Sequence, residues 1–435
     1  MQPTDSVSTS RRSFIQGAAA LSAAATLGTI ASTAWGSSGR GNAARLKVGV
    51  IGCGGRGTGA AVDALHATAE TEIWAIGDLF KDRVTGCLNE LKGQTDVADR
   101  VTVTAERAYS GWDAYEKVLA SGVDTVILAT APHFRPMHFE AAVNAGKHVF
   151  FEKPVAVDPA GVRKVLAAAL VADAKGLRVV TGTQRRHENC YLEAMRRIRE
   201  EGQIGKIIAA QCWWNQGPLW VKKQEPAWSD MEWQIRNWLY FTWLSGDHIV
   251  EQHVHNLDVC NWAIGSYPLK AVGLGGREVR RQPEYGHIFD HFAVQYEYAG
   301  GVYVNSQCRQ IEGCANKVAE QVLGSEGILN TTSGFAEITG SKPWRHDRSK
   351  NNNPYVTEHE NLYKAIREGK ALNEAERVAK STLTAIMGRM ACYTGKEVTW
   401  EQALNSTQDL TPPSYSFDQP MPVPAVAVPG RTPLV

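Results

Sequence analysis

A lysine that follows a short apolar run is the side chain best suited to chemistry in this sequence. Residues 145–154 give a short loop, a run typical of a buried strand, and then Glu152, Lys153 and Pro154. Far upstream, a glycine-rich segment at 52–57 follows the apolar run 46–51. In a doubly wound sheet, ligands bind beyond the carboxyl ends of the strands. The pattern therefore predicts that the Lys153 ammonium points into a ligand pocket and polarises an oxygen atom there.

The glycine-rich segment has the spacing of a dinucleotide site. It reads GxGxxG and joins a predicted strand to a helical stretch that begins near Thr58. The first glycine permits a tight turn, the second lets a pyrophosphate approach the backbone, and the third lets helix and strand pack closely. Amides at the helix N-terminus then hold the phosphates. The predicted contacts are Gly52, Gly54, Gly55, Arg56 and Gly57.

An acid follows the next predicted strand, 72–77, at Asp78. A carboxylate about 20 residues after the glycines holds the ribose 2′-hydroxyl of NAD, and its charge repels the 2′-phosphate of NADP. NAD is therefore favoured as the cofactor. Lys81 and Arg83 lie close enough in the sequence to leave NADP open as the alternative.

Two further apolar runs, 123–130 and 177–183, predict strands of the same sheet. Together these runs predict a Rossmann-type doubly wound parallel sheet, an α/β domain that binds NAD(P) over residues 46–185. The turn after run 123–130 lies at the carboxyl end of a strand, where nucleotide contacts are expected. The remaining predicted cofactor contacts are Thr130, Pro132, His133, Glu152, Lys153 and Gln184.

From residue 186 to residue 410 the sequence predicts an α+β substrate-binding domain. Runs 292–298 and 301–308 alternate apolar and polar residues, with a hairpin-like turn between them. This alternation indicates antiparallel strands with one solvated face. A late helix is predicted at about 374–394, where it would pack across the sheet or the domain junction.

A second group of reactive side chains lies within residues 247–258. On a helix, His248, Glu251, His255 and Asp258 are three, four and three residues apart and share a face. A dehydrogenase needs a group that takes the hydroxyl proton as hydride leaves, and imidazole titrates near neutral pH. Two alternatives stay open, because two histidines and a carboxylate on one face could bind zinc, or the face could simply be solvated.

Tryptophans are concentrated in an insertion at residues 213–243, which holds seven of the thirteen in the chain. Flat indole faces with an N–H donor suit a carbohydrate ring, which has apolar faces and hydroxyl edges. The alternative is that the rings form the core of the insertion. Core packing is favoured for any single ring, whereas the cluster as a whole predicts at least one ring in a substrate cleft.

The GxGxxG segment, the AGKH sequence at 145–148 with EKP at 152–154, and HNLD at 255–258 together resemble the Gfo/Idh/MocA family. This is the group of glucose–fructose oxidoreductase and inositol dehydrogenase, and the resemblance covers about residues 46–400. It implies an NAD-dependent dehydrogenase of sugars or polyols with a large open, mainly antiparallel sheet in the second domain. It also implies a homo-oligomer that pairs through the flat face of that sheet.

The resemblance also implies roles for individual residues. The family has an acid and a histidine four residues apart, here Glu251 and His255, and Lys153 completes a catalytic site that works without metal. The family acid is usually Asp, so the longer Glu251 is expected to orient His255. The bond before Pro154 is expected to be cis. Further substrate contacts are expected from Arg186, Trp238, His248 and Asp258.

The two ends of the chain predict export and an extended arm. Arg11 and Arg12 precede a weakly apolar, alanine-rich segment, which indicates a twin-arginine signal peptide over residues 1–35, with an uncleaved membrane anchor as the alternative. The eight cysteines are dispersed without a CxxC pair, which fits folding in a reducing cytoplasm before export. The Pro-rich tail, 411–435, has no periodic pattern and is expected to be an extended arm or disordered.

These features predict an exported enzyme, periplasmic or otherwise outside the cytoplasm, that oxidises a secondary hydroxyl of a carbohydrate. The net charge of +1 is spread along the chain, so no nucleic-acid partner is expected, and no membrane after signal cleavage. Because no nicotinamide pool is expected outside the cytoplasm, the cofactor should stay bound and be restored within each cycle. Two alternatives are a redox-neutral NAD-dependent glycoside hydrolase, as in one branch of the family, and a sugar-binding sensor without activity.

Overall fold

The computed structural model describes residues 45–435. The predicted signal peptide, 1–35, lies outside the described residues. All eight cysteines of the chain lie in the described part, where none is paired in a disulfide. No helix of the described part is both long enough and apolar enough to cross a membrane.

The first half of the described chain is a six-stranded sheet with helices between its strands. Every strand pair is parallel, and the order is the third, second, first, fourth, fifth and sixth strand along the chain. This is the doubly wound order of a dinucleotide-binding fold, and it confirms the predicted sheet. In chain order the elements are β1 (Leu46–Ile51), α1 (Gly55–Ala67), β2 (Thr71–Asp78), α2 (Lys81–Gly93), β3 (Ala108–Ser110), α3 (Ala114–Ala120), β4 (Thr125–Leu128), α4 (Arg135–Asn144), β5 (His148–Phe151), α5 (Pro159–Ala174) and β6 (Val179–Thr181).

The strand order reverses between β1 and β4, and the glycine-rich turn lies at this switch point. Gly52 has φ +101°, a conformation open to glycine but strained for other residues. A Cβ atom at Gly57 would lie only 1.8 Å from the Gly52 carbonyl oxygen. The first and third glycines therefore let α1 begin directly against the end of β1.

The second half contains a nine-stranded sheet, in the order β14-β13-β12-β11-β7-β10-β9-β8-β15. Of its pairs, β7 with β10 is parallel and the others are antiparallel, as predicted for an α+β domain. In chain order the elements are α6 (Asn189–Arg199), β7 (Ile207–Gln216), α7 (Asp230–Arg236), α8 (Thr242–Ser245), α9 (His248–Glu251), α10 (Val254–Ile264), β8 (Lys270–Gly276), β9 (His291–Tyr298), β10 (Val302–Gln310), β11 (Lys317–Gly324), β12 (Gly327–Thr332), β13 (Phe335–Gly340), β14 (Trp344–Arg345), α11 (Pro354–Glu368), α12 (Ala375–Thr394), β15 (Val398–Thr399) and α13 (Trp400–Asn405).

Helix α12, predicted from the sequence, is buried along most of its length and joins the two halves. It packs on α5 of the first half and on α10 and β8 of the second. Arg389 of this helix is 1% exposed, and its Nη1 donates to the carbonyl oxygens of Val157 at 2.6 Å and Gly246 at 3.1 Å. Because an unpaired buried charge is costly, these bonds fix α12 against both segments.

Two segments of the second half pack against the first half. Helix α11 returns to the first half, where Leu362 and Tyr363 join the core beneath α1 and β1. The tryptophan-rich insertion forms a separate apolar cluster with the end of β2 and with the tail. The tail contains neither helix nor strand, and its residues Tyr415, Phe417 and Met421 pack on this cluster, so it is an extended arm as expected.

Candidate active site

A cavity of about 230 Å³ lies beyond the carboxyl ends of β1, β2 and β4. Gly54, Asp78 and Thr130, three predicted cofactor contacts, line it. A Cβ atom at Gly55 would meet nothing within 4 Å, and one at Gly54 would meet only the end of the Arg83 side chain, at 3.1 Å. The glycine turn therefore leaves its amides open to a pyrophosphate at the start of α1.

Asp78 is fixed at the end of β2 by two backbone amides. The Cys53 N–H donates to Asp78 Oδ2 at 2.7 Å, and the Phe80 N–H donates to Oδ1 at 2.9 Å. Burial raises the pKa of Asp78, although these two bonds and the nearby Arg83 cation oppose the rise. Each carboxylate oxygen has capacity for a further bond, so the group can accept from ribose hydroxyls within the cavity.

Glu152 forms an ion pair with the glycine turn. Arg56 Nε lies 2.8 Å from Glu152 Oε1, and the same guanidinium also donates to Asp63 at 3.1 Å. A Cβ atom at Gly182 would lie 2.4 Å from Glu152 Oε2, so the carboxylate packs against bare backbone at the end of β6. The ion pair thereby joins the ends of β1, β5 and β6.

The structure separates the other predicted cofactor contacts. Gln184 follows β6, and its Nε2 donates to the Tyr355 hydroxyl at 3.4 Å. Pro132 and His133 lie in a 3-10 helix, and neither lines the cavity. His133 instead pairs with the Tyr415 hydroxyl at 2.7 Å, beneath the arm.

Lys153 lies immediately after β5 and points at the segment that joins α9 to α10. Its Nζ donates to the Glu251 carbonyl oxygen at 2.5 Å and to Glu251 Oε1 at 3.0 Å. The two side chains are 11% and 8% exposed, so the ion pair is nearly buried. The Lys153–Pro154 peptide bond is cis, as expected from the resemblance.

The binding of Glu251 to Lys153 corrects the expected orienting role of this acid. Residues 247–258 do not form one helix, because α9 ends at Glu251 and α10 begins at Val254. The last carbonyl groups of a helix have no partner within it, and the Glu251 carbonyl is free to accept from Lys153. No hydrogen bond joins Glu251 to His255 within the described residues.

His255 is 6% exposed and stacks on Trp214, with ring centroids 5.6 Å apart and an interplanar angle of 22°. Burial lowers the pKa of His255 well below its usual value, and the cations of Lys153 and Arg185 lower it further. The imidazole is therefore neutral at pH 7 and makes no hydrogen bond to any other residue described. A neutral, unbonded imidazole is suited to accept a proton from a ligand hydroxyl.

Two family models match most of the described chain. The model for an oxidoreductase family with an NAD-binding Rossmann fold matches residues 46–182, and the Gfo/Idh/MocA C-terminal domain matches residues 192–330. The chain belongs to the Gfo/Idh/MocA oxidoreductase family. As a family member it is an NAD-binding enzyme that acts on CH–OH groups.

Relatives in this family are named for polyol oxidation. The chain is 29% identical to an inositol 2-dehydrogenase of Serratia proteamaculans over 295 residues, which covers 65% of this chain and 73% of that protein. It is 24% identical to the myo-inositol 2-dehydrogenase of Thermotoga maritima over 286 residues, 65% and 74% of the two chains. Among solved structures, aldose–aldose oxidoreductase from Caulobacter crescentus has the same fold, with a TM-score of 0.64 and 17% identity over 82% of this chain and 99% of that one.

Asp258 and Arg186, predicted as substrate contacts of this Gfo/Idh/MocA protein, are bound to each other. Arg186 Nε lies 2.7 Å from Asp258 Oδ2, and Ser381 Oγ donates to Oδ1 at 2.7 Å. Arg377 adds a second cation at 3.5 Å. Burial alone would raise the pKa of Asp258, but the two cations outweigh it and lower the pKa. With both oxygens bonded and 2% exposure, Asp258 ties α10 to α12, and its contact with substrate stays a prediction.

The other histidines of residues 247–258 are held by the nine-stranded sheet. His248 Nε2 lies 3.3 Å from the Trp214 carbonyl oxygen, and burial lowers the pKa of His248 to about 3. His253 Nε2 pairs with Ser306 Oγ at 2.7 Å, fully inside the core. Within residues 45–435 no group of three His, Cys, Asp or Glu side chains is arranged to hold a metal ion.

Sequence reasoning missed Trp214 and Arg185 as neighbours of His255. Arg185 lies 5.4 Å from the centre of the Trp214 ring, and its Nη1 is 3.6 Å from Glu320. The sequence did hold a signal that separates Trp214 from the other tryptophans. Consecutive residues of a strand face opposite sides of the sheet. Trp213 and Trp214 therefore could not both belong to one aromatic cluster.

Trp238, the tryptophan predicted to contact substrate, lines the same cavity as Asp78. Trp233 and Trp243 are buried in the core of the insertion, where the Trp243 N–H donates to Gln234 at 2.8 Å. Most of the insertion thus forms an apolar core that packs against the dinucleotide-binding half. Trp238 differs from these two rings in that it lines the cavity.

Proposed function

We propose that this protein is an exported NAD-dependent oxidoreductase that oxidises a secondary hydroxyl of a sugar, polyol or sugar derivative and retains its cofactor. The observation that supports it best is the buried His255, whose imidazole is kept neutral by burial and by the charge of the Lys153 ammonium. A base and an electrophile next to each other are the groups required to deprotonate an alcohol as its carbon loses hydride.

Each residue has a distinct role in this proposal. Lys153 holds the substrate oxygen and stabilises the charge that develops on it. Glu251 positions Lys153 through its carbonyl and carboxylate oxygens, which leave one ammonium hydrogen for the substrate. His255 takes the hydroxyl proton, and the carbinol carbon becomes a carbonyl. NAD bound at the glycine turn would supply the hydride acceptor.

The substrate class follows from the names of the relatives and from the surroundings of His255. Inositol 2-dehydrogenases act on a cyclic polyol, and the Trp214 ring beside His255 provides an apolar surface for a ring of that kind. Export is proposed from Arg11 and Arg12 with the alanine-rich segment that follows. Because no nicotinamide pool is expected outside the cytoplasm, a bound cofactor restored within each cycle is part of the same proposal.

The test begins with protein purified without added nucleotide. Denaturation should release NAD or NADH at close to one per chain. Polyols, aldoses and glycosides are then added in turn while the nicotinamide absorbance is followed. Reduction that stalls until a ketose is supplied supports paired oxidation and reduction. Nucleotide-free protein that needs millimolar NAD would refute retention, and cleavage of a glycoside with no second sugar would favour a redox-neutral hydrolase instead.

We also propose that the nine-stranded sheet mediates self-association. Helices α10 and α12 cover one face, and the opposite face of β8 to β10 is solvent-exposed in the described chain. Leu274 on this face is 76% exposed, Val272 is 48% and Tyr303 is 40%. Lys270 and Glu297 lie on the same face as an ion pair at 3.4 Å, so its charges are mutually compensated. A face with exposed large apolar side chains is typical of a protein–protein contact.

A further inference from the structure

The cavity of about 230 Å³ beyond β1, β2 and β4 is lined in part by residues from outside the dinucleotide-binding half. Trp238 of the insertion and Tyr415 of the arm line the cavity together with Asp78 and Trp112. The arm is residues 411–435, and it lies beyond both matched family models, which end at residues 182 and 330. The arm is therefore an addition to the part of the chain that those models describe.

The arm is anchored by directed contacts. The Tyr415 hydroxyl pairs with buried His133 at 2.7 Å, and its ring centroid lies 5.6 Å from that of Trp112. Two residues on, Phe417 lies 5.2 Å from Trp112 and stacks on Phe80 at 6.1 Å, with an interplanar angle of 11°. Alternate residues of the arm thus bury rings against the end of β2 and the turn after β4.

A backbone contact fixes the arm to the insertion a few residues later. Gln234 Nε2 donates to the Met421 carbonyl oxygen at 2.6 Å, and Gln234 is itself completely buried. The same amide accepts from the Trp243 indole at 2.8 Å. Because both ends of Gln234 are used, the path of the arm is coupled to the core of the insertion.

We propose that Tyr415 and Trp112, with Trp238, form an aromatic clamp over the adenosine end of NAD, and that the arm must detach before the cofactor leaves. Asp78 fixes where the adenosine ribose lies, and the rings occupy the cavity wall beside it. Aromatic rings stack on bases without needing specific polar contacts. This inference rests on the proposed NAD-dependent function and gives its retained cofactor a physical cause.

The test is the rate of NAD release from the holoprotein. Protein loaded with radiolabelled NAD is mixed with excess unlabelled NAD, and the label that stays bound is followed over time. The Tyr415→Ala/Phe417→Ala variant should release NAD at least about tenfold faster than wild type, as expected for the loss of a stacked base contact. The control is Val423→Ala/Val428→Ala in the same arm, at positions 40% and 46% exposed, which should change the rate by no more than about twofold.

A second measurement distinguishes the clamp from a general loosening of the fold. Nicotinamide mononucleotide lacks the adenosine half, so its dissociation constant should be the same in wild type and in the double variant. Unchanged NAD release in a variant with a native circular dichroism spectrum would overturn the clamp, and so would an equal loss of affinity for both nucleotides. Wild-type protein that purifies without NAD would refute cofactor retention but not the clamp. The clamp is judged by the ratio of the NAD release rates of variant and wild type.

Discussion

Lys153 and Glu251 form an ion pair that serves the site more than the fold. A buried pair contributes little net stability, yet removal of one partner leaves the other charge uncompensated. Here the pair positions an ammonium whose other bonds would go to a substrate. The side chain that fixes the lysine is therefore as important to the geometry as His255, the proposed base on α10.

Replacement of Lys153 with Met should abolish turnover and leave NAD affinity nearly unchanged. In the proposed function the ammonium acts on the substrate oxygen, whereas backbone amides of the glycine turn hold the phosphates. We expect kcat to fall more than about tenfold, equivalent to ~1.4 kcal/mol of barrier. Steady-state kinetics and NAD titration measure the two effects. Lys164→Met, at a lysine 47% exposed on α5, is the control, and a Lys153→Met enzyme with most of its kcat would show that the ammonium is not catalytic.

The acid limb of the pH–rate profile should lie below the usual histidine pKa of about 6.5. Burial and the Lys153 and Arg185 cations lower the pKa of His255, so the neutral, proton-accepting form persists as the pH falls. We expect kcat/KM to be level from pH 7.5 down to about 6.5 and to decline only at lower pH. A one-proton loss of kcat/KM centred at or above pH 6.5 would contradict a depressed His255 pKa.

The residues of the site were more predictable than their partners. The EKP and GxGxxG sequences locate Lys153 and the phosphate turn, because both depend on the local order strand, turn, helix. The bond from Lys153 to Glu251 depends on the interruption of the helix at residues 252–253, which helical spacing alone did not indicate. Asp258 was likewise predicted to share a helix face with His255. Its partners Arg377 and Ser381 come from a helix more than a hundred residues further along the chain.

At the scale of elements, we expect the end of β2 to set the choice of cofactor. Asp78→Ser removes the charge that repels a 2′-phosphate and the acceptor for the ribose hydroxyl. The ratio of NADP to NAD affinity should rise about tenfold or more, since charge-assisted bonds contribute ~1.5–3 kcal/mol. Nucleotide titrations of both cofactors measure this ratio. An unchanged ratio would show that Asp78 only accepts from the Cys53 and Phe80 amides.

The ion cluster between α10 and α12 should be a major source of stability. Asp258→Ala leaves Arg186 without its buried counter-charge, whereas Arg377 keeps Glu374 at 3.0 Å, and we expect a loss of about 3–5 kcal/mol in urea unfolding. Asp99→Ala, at a side chain 71% exposed, should cost less than about 0.5 kcal/mol. A small effect at Asp258 with a raised KM would restore its substrate role.

The same cluster predicts a pH dependence of stability. The pKa of Asp258 is lower in the folded chain than in the unfolded one, because Arg186 and Arg377 outweigh the effect of burial. Its contribution is therefore complete above the unfolded aspartate pKa of about 3.9 and is lost as the pH falls through the lower folded value. The difference in unfolding free energy between wild type and Asp258→Ala should shrink on acidification.

At the scale of the whole molecule, periodic patterns predicted the two sheets and helix α12 but not what packs on them. The arm has no alternation or helical period, so its aromatic contacts with the first half were not foreseeable. The packing of helix α11 was equally unforeseeable, because an apolar helix face does not indicate which core it packs against. Contacts between distant segments form one cluster from the insertion, the arm and the end of β2. Residues of the first half, the insertion and the arm therefore all contribute to the wall of the cavity.

The exposed face of β8 to β10 carries the last prediction, which concerns assembly. Leu274→Glu places a charge at the most exposed large apolar position of this face and should dissociate the oligomer, because burying an unpaired charge at an interface is costly. Sedimentation velocity at micromolar concentration should show wild type as a dimer or larger and the variant as a monomer. Leu170→Glu is the matched control, since Leu170 is 71% exposed on α5 and lies far along the chain from this sheet. A wild-type monomer, or a Leu274→Glu variant that keeps the wild-type sedimentation coefficient, would exclude this face as the contact.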